Sequence, residues 1–152
     1  MEAILKALRE NNKDIKNEDY WSCSAGYEDA FGDCEKLLWE AVGDYQGDYF
    51  ALLKGPDGRY GFIVIGYGSC SGCDGLQAVL GYGDEGIEAR EARLKEVAEY
   101  LNGIRNEVHW EPTKERMKEY LVKECDREMK ETYISNEDQK KTLWPKLVGL
   151  VS

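Results

Sequence analysis

Long hydrophobic runs are the first thing this sequence lacks. No apolar stretch approaches the roughly 20 residues that a membrane-spanning helix requires, so we do not expect a membrane protein. The first twenty residues, MEAILKALRENNKDIKNEDY, are charged and amphipathic. They lack the apolar core and the small-residue cleavage site of a secretory signal. We therefore expect a cytoplasmic protein.

Histidine is also scarce, and the cysteine count does not indicate a disulfide framework. The chain has one histidine, His109, and no recognisable nucleophile elbow, which leaves a Ser-His-Asp hydrolase unsupported. We do not expect an enzyme. The five cysteines are an odd number, and disulfide frameworks belong mainly to short secreted chains. The 152 residues, of which 42% are hydrophobic, predict a single domain spanning residues 1–152 with a substantial core.

Basic side chains are in deficit. Lysine and arginine number 20 against 30 acidic residues, giving a net charge of −10. Direct binding of nucleic acid is not expected, because its affinity comes from cations that neutralise phosphates. The excess is concentrated between Glu18 and Asp48, where nine acidic side chains stand against Lys36 alone.

Aromatic residues are interleaved with these acids. An acidic surface with aromatic anchors suits the capture of a basic protein, as an inhibitor or as a mimic of nucleic-acid charge. The alternative is that the aromatics form core and the acids keep the surface soluble. The candidate partner-binding residues are Tyr20, Trp21, Glu28, Asp29, Asp33, Glu35, Glu40 and Asp44.

The clearest structural signal is a β-hairpin over residues 48–66. Asp48 to Lys54 and Arg59 to Gly66 predict two strands joined by the turn Gly55-Pro56-Asp57-Gly58, because proline suits the second position of such a turn and glycine its last. The run Phe62-Ile63-Val64-Ile65 predicts burial on both faces. A third strand is expected near Val108-His109-Trp110. We thus predict an α+β fold, a small antiparallel sheet built on this hairpin and covered by several α-helices.

Helical periodicity marks most of the remaining chain. Asp33 resembles an N-cap, so Lys36 to Val42 is predicted as a short helix that ends at Gly43. Further helices are predicted as follows: Ala3 to Leu8, Leu76 to Leu80, Glu85 to Arg105, and Thr113 to about Thr132 with an inward stripe of Met117, Tyr120, Leu121, Cys125 and Met129. Ser135-Asn136-Glu137-Asp138 indicates a new helix start, before an apolar segment over 143–151 that Pro145 interrupts.

The loop Cys70-Ser71-Gly72-Cys73 permits several interpretations. It is a candidate thiol-redox site, although a hairpin rather than a βαβ unit precedes it. Its glycines also suit an anion-binding turn, although it contains no lysine or arginine. A purely structural alternative is a sharp turn in which reduced cysteines pack as small hydrophobic residues. The remaining hypothesis is a zinc site formed by Cys23, Cys34, Cys70 and Cys73, since structural zinc takes four such ligands.

One motif carries a resemblance to known proteins. Asp44-Tyr45-Gln46-Gly47-Asp48-Tyr49 followed by Tyr67-Gly68-Ser69-Cys70-Ser71-Gly72-Cys73-Asp74 resembles a motif of small uncharacterised proteins of bacteriophages and their bacterial hosts. The similarity covers about a fifth of the chain, and it implies a phage-type context with no activity to carry over. We therefore expect an acidic interaction protein that binds a basic host protein in the host cytoplasm and needs no cofactor, with the zinc or thiol module as the alternative.

Overall fold

The computed structural model describes residues 25–68, 75–80, 94–131 and 133–152. The chain divides into two compact units, one formed by residues 1–32 and 66–107 and the other by residues 33–65 and 108–152. We call them the helical unit and the sheet unit. The single-domain assignment stays a prediction. The predicted helix over Ala3 to Leu8 lies outside the described residues.

The fold is α+β, as predicted, with a four-stranded antiparallel sheet. The strands are β1 (Glu35–Gly43), β2 (Gly47–Lys54), β3 (Tyr60–Tyr67) and β4 (His109–Glu111), in the order β1-β2-β3-β4. The predicted hairpin is β2 and β3. Its turn is closed by the Gly58 N–H, which donates to the Gly55 carbonyl at 2.9 Å, and Gly58 takes a φ of +83° that favours glycine.

The prediction of a helix over Lys36 to Val42 is wrong, because this segment is β1. Leu38 and Val42 are four residues apart, a spacing that places them on one face of a helix and equally on one face of a strand. The neighbouring β2 decides between the two, since Glu40 pairs with Phe50 and Val42 with Asp48 along the whole length of β1. Asp33 accordingly caps no helix.

Two long helices cover one face of the sheet. They are α4 (Lys114–Glu128) and α5 (Glu137–Leu150). The predicted stripe on α4 is confirmed: Met117 and Leu121 are fully buried, and the other three members pack at the margin. The core consists of Leu38, Val42, Phe50, Leu52 and Phe62 of the sheet, Met117 and Leu121 of α4, and Leu143, Trp144, Leu147 and Val151 at the C-terminus.

The two helices start near their predicted positions. Thr113 caps α4 by accepting a hydrogen bond from the Arg116 N–H, which satisfies one of the unpaired amides of the first turn. Asn136 precedes α5. Pro145 does not interrupt the last segment, since α5 runs through it to Leu150. Burial of Leu143, Trp144 and Leu147 against the sheet holds the helix together around the missing amide.

The expected third strand of the hairpin sheet is β4, which pairs with β3 through Tyr60↔Glu111, Gly61↔Trp110 and Phe62↔His109. A Cβ on Gly61 would lie 2.7 Å from the Trp110 ring, so the indole rests on bare backbone. The Arg59 guanidinium lies 5.3 Å from the centre of the same ring. The absence of a side chain at Gly61 therefore leaves room for the Trp110 ring when β4 pairs with β3.

Burial of β3 is less complete than its composition predicts. Phe62, Ile63 and Ile65 are buried, but Val64 is 41% exposed. The expectation that the whole apolar run is covered on both faces is wrong at this residue. Val64 shares a face with Phe62, whereas Ile63 and Ile65 point to the other face, so the first face is covered at Phe62 but not at Val64.

The helical unit contains α1 (Ala25–Glu28), a 3-10 turn (Asp29–Phe31), α2 (Gly75–Leu80) and α3 (Leu94–Asn106). The predicted helices over 76–80 and up to residue 105 are thus present where they are described. The Leu76 amide donates to the Tyr27 hydroxyl at 3.3 Å, and the Arg105 guanidinium donates to the Ala30 carbonyl at 2.9 Å. These bonds tie the start of the unit to α2 and α3.

Candidate functional site

The predicted partner-binding residues fall into three groups. Tyr20 and Trp21 lie outside the described residues. Glu28 and Asp29 belong to the helical unit. The sheet unit holds Asp33, Glu35, Glu40 and Asp44, in and beside β1. The candidate surface that the structure describes is therefore the edge formed by β1 and the turn that follows it.

The four acids of this edge are spread along it. Asp33 and Glu35 are exposed at the start of β1, and Asp44 is exposed just past its end. A strand of nine residues is roughly 25–30 Å long, so the two ends do not form one cluster. Glu40, in the middle, is matched in charge because the Lys146 ammonium lies 2.5 Å from its carboxylate.

The turn between β1 and β2 presents the most exposed aromatic ring of this edge. Gly43 pairs with Gly47, so three residues, Asp44, Tyr45 and Gln46, form the loop. The side chain of Tyr45 is 82% exposed. Gly43 has a φ of +108°, and a Cβ there would lie 2.4 Å from the Gln46 carbonyl oxygen. Glycine at this position is thus required by the turn itself. We call residues 43–47 the hairpin tip.

Helix α5 contacts the hairpin tip and the adjoining part of β1. The Gly43 N–H donates to the Gln139 side-chain carbonyl at 2.8 Å, and Lys146 pairs with Glu40. Gln139 and Lys146 are two turns apart on α5, about 10 Å along its axis, and Gly43 and Glu40 are about 10 Å apart along β1. The equal spacing lets one helix hold the strand at two points, which fixes the direction in which the tip points.

Asp48, the last residue of the acidic stretch, has a different environment. It is half-buried, and burial raises the pKa of its carboxyl, with Lys140 opposing the rise and Glu128 adding to it. Lys140 is itself 6% exposed and donates to Glu128, which also accepts from the Trp144 indole at 2.7 Å. Asp48 therefore belongs to a buried ionic cluster behind the hairpin tip.

Of the four cysteines proposed as zinc ligands, one lies in the part of the chain that the structure describes. Cys34 is buried, and its thiol donates to the Asp33 carboxylate at 3.5 Å. Cys23, Cys70 and Cys73 lie outside the described residues. In the part of the chain that the structure describes, no three side chains of the metal-binding types form a group. The zinc site stays a prediction.

A second set of polar groups surrounds the single histidine. The His109 ring stacks on Tyr120 with centroids 3.7 Å apart and planes 8° from parallel, and its Nε2 lies 2.9 Å from a Glu111 carboxylate oxygen. Beside this pair is a depression of about 230 Å³ lined by Glu111, Arg116, Glu119, Tyr120 and Lys123. His109 was not predicted as a site residue because a single histidine without a nucleophile elbow does not support catalysis, and the chain order does not show that β4 and α4 bring these groups together.

Comparison with known proteins adds no further constraint. No protein-family model, curated protein or solved structure matches the chain. Among the described helices, none combines the length and the apolar composition needed to cross a bilayer. The chemistry of the sheet unit is therefore the basis for a functional proposal.

Proposed function

We propose that this protein is a non-enzymatic interaction module that binds a basic surface of a partner protein through the hairpin tip. The observation that carries the proposal is the exposure of Tyr45, at 82%, on a turn that α5 holds in place. A tyrosine on a fixed turn loses little conformational freedom on binding, so more of its contact area contributes to affinity.

The charge around the tip defines the partner's chemistry. Asp44 adjoins Tyr45, and Asp33 and Glu35 add negative charge at the opposite end of β1. A partner that presents lysine and arginine complements this edge, and the charges steer its approach. Aromatic anchors beside charged groups are the usual centres of binding energy in protein interfaces.

The resemblance of residues 44–49 and 67–74 to phage proteins supports a host protein as the partner. Under this proposal the protein acts in the host cytoplasm. It inhibits its partner where the occupied basic surface is the partner's own working surface. A surface that normally binds nucleic acid fits this description, because an acidic edge repeats the sign of a phosphate backbone.

The test is an affinity measurement with variants of matched exposure. A basic partner is first captured from host lysate at low salt and purified, and its dissociation constant is then measured for each variant. We expect Tyr45→Ala to weaken binding at least about tenfold. Tyr133→Ala, which removes a tyrosine that is 83% exposed elsewhere in the sheet unit, should change binding less than about twofold.

The charge component has its own control. Asp44→Asn should weaken binding and reduce its salt dependence, whereas Glu40→Gln should have little effect because Lys146 already neutralises Glu40. Equal losses for Tyr45→Ala and Tyr133→Ala, or binding that does not weaken with salt, would refute the proposed surface.

A further inference from the structure

The depression beside His109 has the dimensions of a site for a small molecule. Its volume of about 230 Å³ lies below the roughly 300–1,000 Å³ typical of sites for drug-sized ligands. Glu111 of β4 and four residues of α4 form its walls. All five belong to the sheet unit, and the depression is separate in sequence from the hairpin tip.

The charges of the walls point to the class of ligand. Glu111 and Glu119 are acidic, Arg116 and Lys123 are basic, and the Tyr120 hydroxyl is neutral. A ligand with charge of one sign meets as much repulsion as attraction in such a setting, whereas a ligand with both signs meets complementary groups. We propose that this depression binds a small zwitterion, an α-amino acid.

Lys123 and Arg116 would hold the carboxylate of the ligand. Within the described residues, no carboxylate lies within 4 Å of the Lys123 ammonium. Arg116 lies 3.7 Å from Glu111 and 3.6 Å from Glu119, longer than the 2.7–2.9 Å of a charge-assisted hydrogen bond. Its N–H donors are therefore available to an incoming anion.

Glu119 would hold the ammonium of the ligand. It precedes Lys123 by four residues, a spacing at which such pairs often close on each other, but the described structure shows no ion pair between them. Glu111 is already engaged by His109 at 2.9 Å and has a side chain only 16% exposed. The Glu119 side chain is 71% exposed and its 3.6 Å contact with Arg116 is longer than a charge-assisted hydrogen bond, so the walls offer a carboxylate at Glu119 and an ammonium at Lys123.

Tyr120 forms part of the wall between the charged groups. Burial raises the pKa of its hydroxyl, and the nearby Glu124 carboxylate adds to the rise. The hydroxyl is protonated at neutral pH, as an ordinary phenol is, and can donate a hydrogen bond. Stacking on His109 and an edge contact with Phe62 fix the ring, so the donor is held in place before a ligand enters.

His109 supplies the signal for the test. It is the single histidine of the chain, so its ring protons give one identifiable set of NMR resonances, and its stacking on Tyr120 makes them sensitive to changes there. The full-length protein is titrated separately with L-alanine, acetate and methylammonium at equal concentrations and constant ionic strength. We expect saturable shifts with L-alanine and none with either single-charge compound.

Two lining variants and one matched control complete the experiment. Lys123→Met and Glu119→Gln should each raise the dissociation constant for L-alanine about tenfold or more, because each removes a charge-assisted contact. Lys118→Met alters an exposed lysine of the same helix that does not line the depression and should change it less than about twofold.

Four results would overturn the proposal. Shifts with acetate as large as those with L-alanine would make this an anion site, and equal shifts with methylammonium would make it a cation site. The absence of saturable shifts with any of the three compounds would remove the site. Equal effects of Lys118→Met and Lys123→Met would place binding elsewhere.

Discussion

Asp48 differs from the exposed acids of β1 because it is half-buried beside Lys140 and Glu128. Burial raises the pKa of its carboxyl above the ordinary value of aspartate. The native state therefore holds the Asp48 proton more tightly than the unfolded state. By linkage, its contribution to stability is fully present below the ordinary aspartate pKa and is lost as pH rises through the raised value.

Replacement of Asp48 tests the predicted direction of its pH-dependent contribution to stability. Asp48→Asn removes the buried charge and keeps a polar side chain of similar size, so we expect a higher free energy of unfolding than wild type at pH 7. The difference should shrink as pH falls below the ordinary aspartate pKa. Urea unfolding between pH 3 and pH 7 measures it, and a variant that is less stable than wild type at pH 7 would contradict the assignment.

Asp57 provides a control of opposite sign. A hydrogen bond from the Arg59 side chain lowers the pKa of the exposed Asp57 carboxyl. Its contribution is present above the ordinary aspartate pKa and is lost as pH falls through the lowered value. Asp57→Asn should therefore be less stable than wild type by a margin that grows as pH rises, whereas Asp48→Asn should be more stable than wild type over the same pH range.

Gly43 is the residue on which the geometry of the hairpin tip depends. Gly43→Ala places a Cβ 2.4 Å from a backbone oxygen at a φ of +108°, so we expect a loss of at least about 2 kcal/mol in unfolding free energy. Gly149→Ala, in α5, meets nothing within 4 Å and should be neutral or stabilising by up to about 1 kcal/mol. Similar values for both variants would show that the turn does not require glycine.

At the scale of elements, the ionic cluster connects α4 to α5. Glu128 accepts hydrogen bonds from both Lys140 and Trp144, and Lys140 is 6% exposed. Glu128→Gln keeps an acceptor for the indole but removes the charge opposite a buried ammonium. We expect a loss of about 3 kcal/mol, at the low end for a broken buried pair, because Asp48 remains near Lys140.

A second substitution separates charge from packing. Lys140→Met added to Glu128→Gln removes the uncompensated ammonium, so the double variant should recover much of the loss, since buried pairs are often replaceable by apolar groups. Denaturant unfolding of the four proteins in the cycle gives the coupling energy. A double variant less stable than Glu128→Gln alone would contradict the explanation.

The same elements show what sequence can predict. The β2–β3 hairpin was predictable because four consecutive residues, Gly55-Pro56-Asp57-Gly58, favour its turn. Strand β1 was not, because Leu38 and Val42 satisfy both periodicities and only pairing with β2 selects the strand. The contact of His109 with Tyr120 depends on how β4 packs against α4, and no pattern in the nearby sequence predicts that packing. The exposure of Tyr45 was likewise not evident, since aromatic residues are as often buried.

At the scale of the whole molecule, the single-domain prediction concerns cooperativity. If residues 1–152 form one domain, calorimetry should show one transition in which the calorimetric and van't Hoff enthalpies agree. The contact pattern divides the described chain into two units, so the experiment is informative either way. Two resolved transitions would show that the helical and sheet units unfold separately.

The zinc hypothesis is also a property of the whole chain, because its ligands are distributed from Cys23 to Cys73. If the site exists, protein purified without added zinc should contain about one equivalent of metal and lose stability in chelator. Cys70→Ser and Cys73→Ser should then abolish metal binding. Metal-free protein whose melting temperature is unchanged by chelator would exclude the site.

The indole of Trp110 rests where Gly61 has no side chain, so these two positions are not independent in evolution. A lineage that gains alanine or anything larger at position 61 has to replace tryptophan at 110 with something smaller, or lose the alignment of the short outer strand. Related chains, compared at these two sites, should therefore show paired rather than separate replacements.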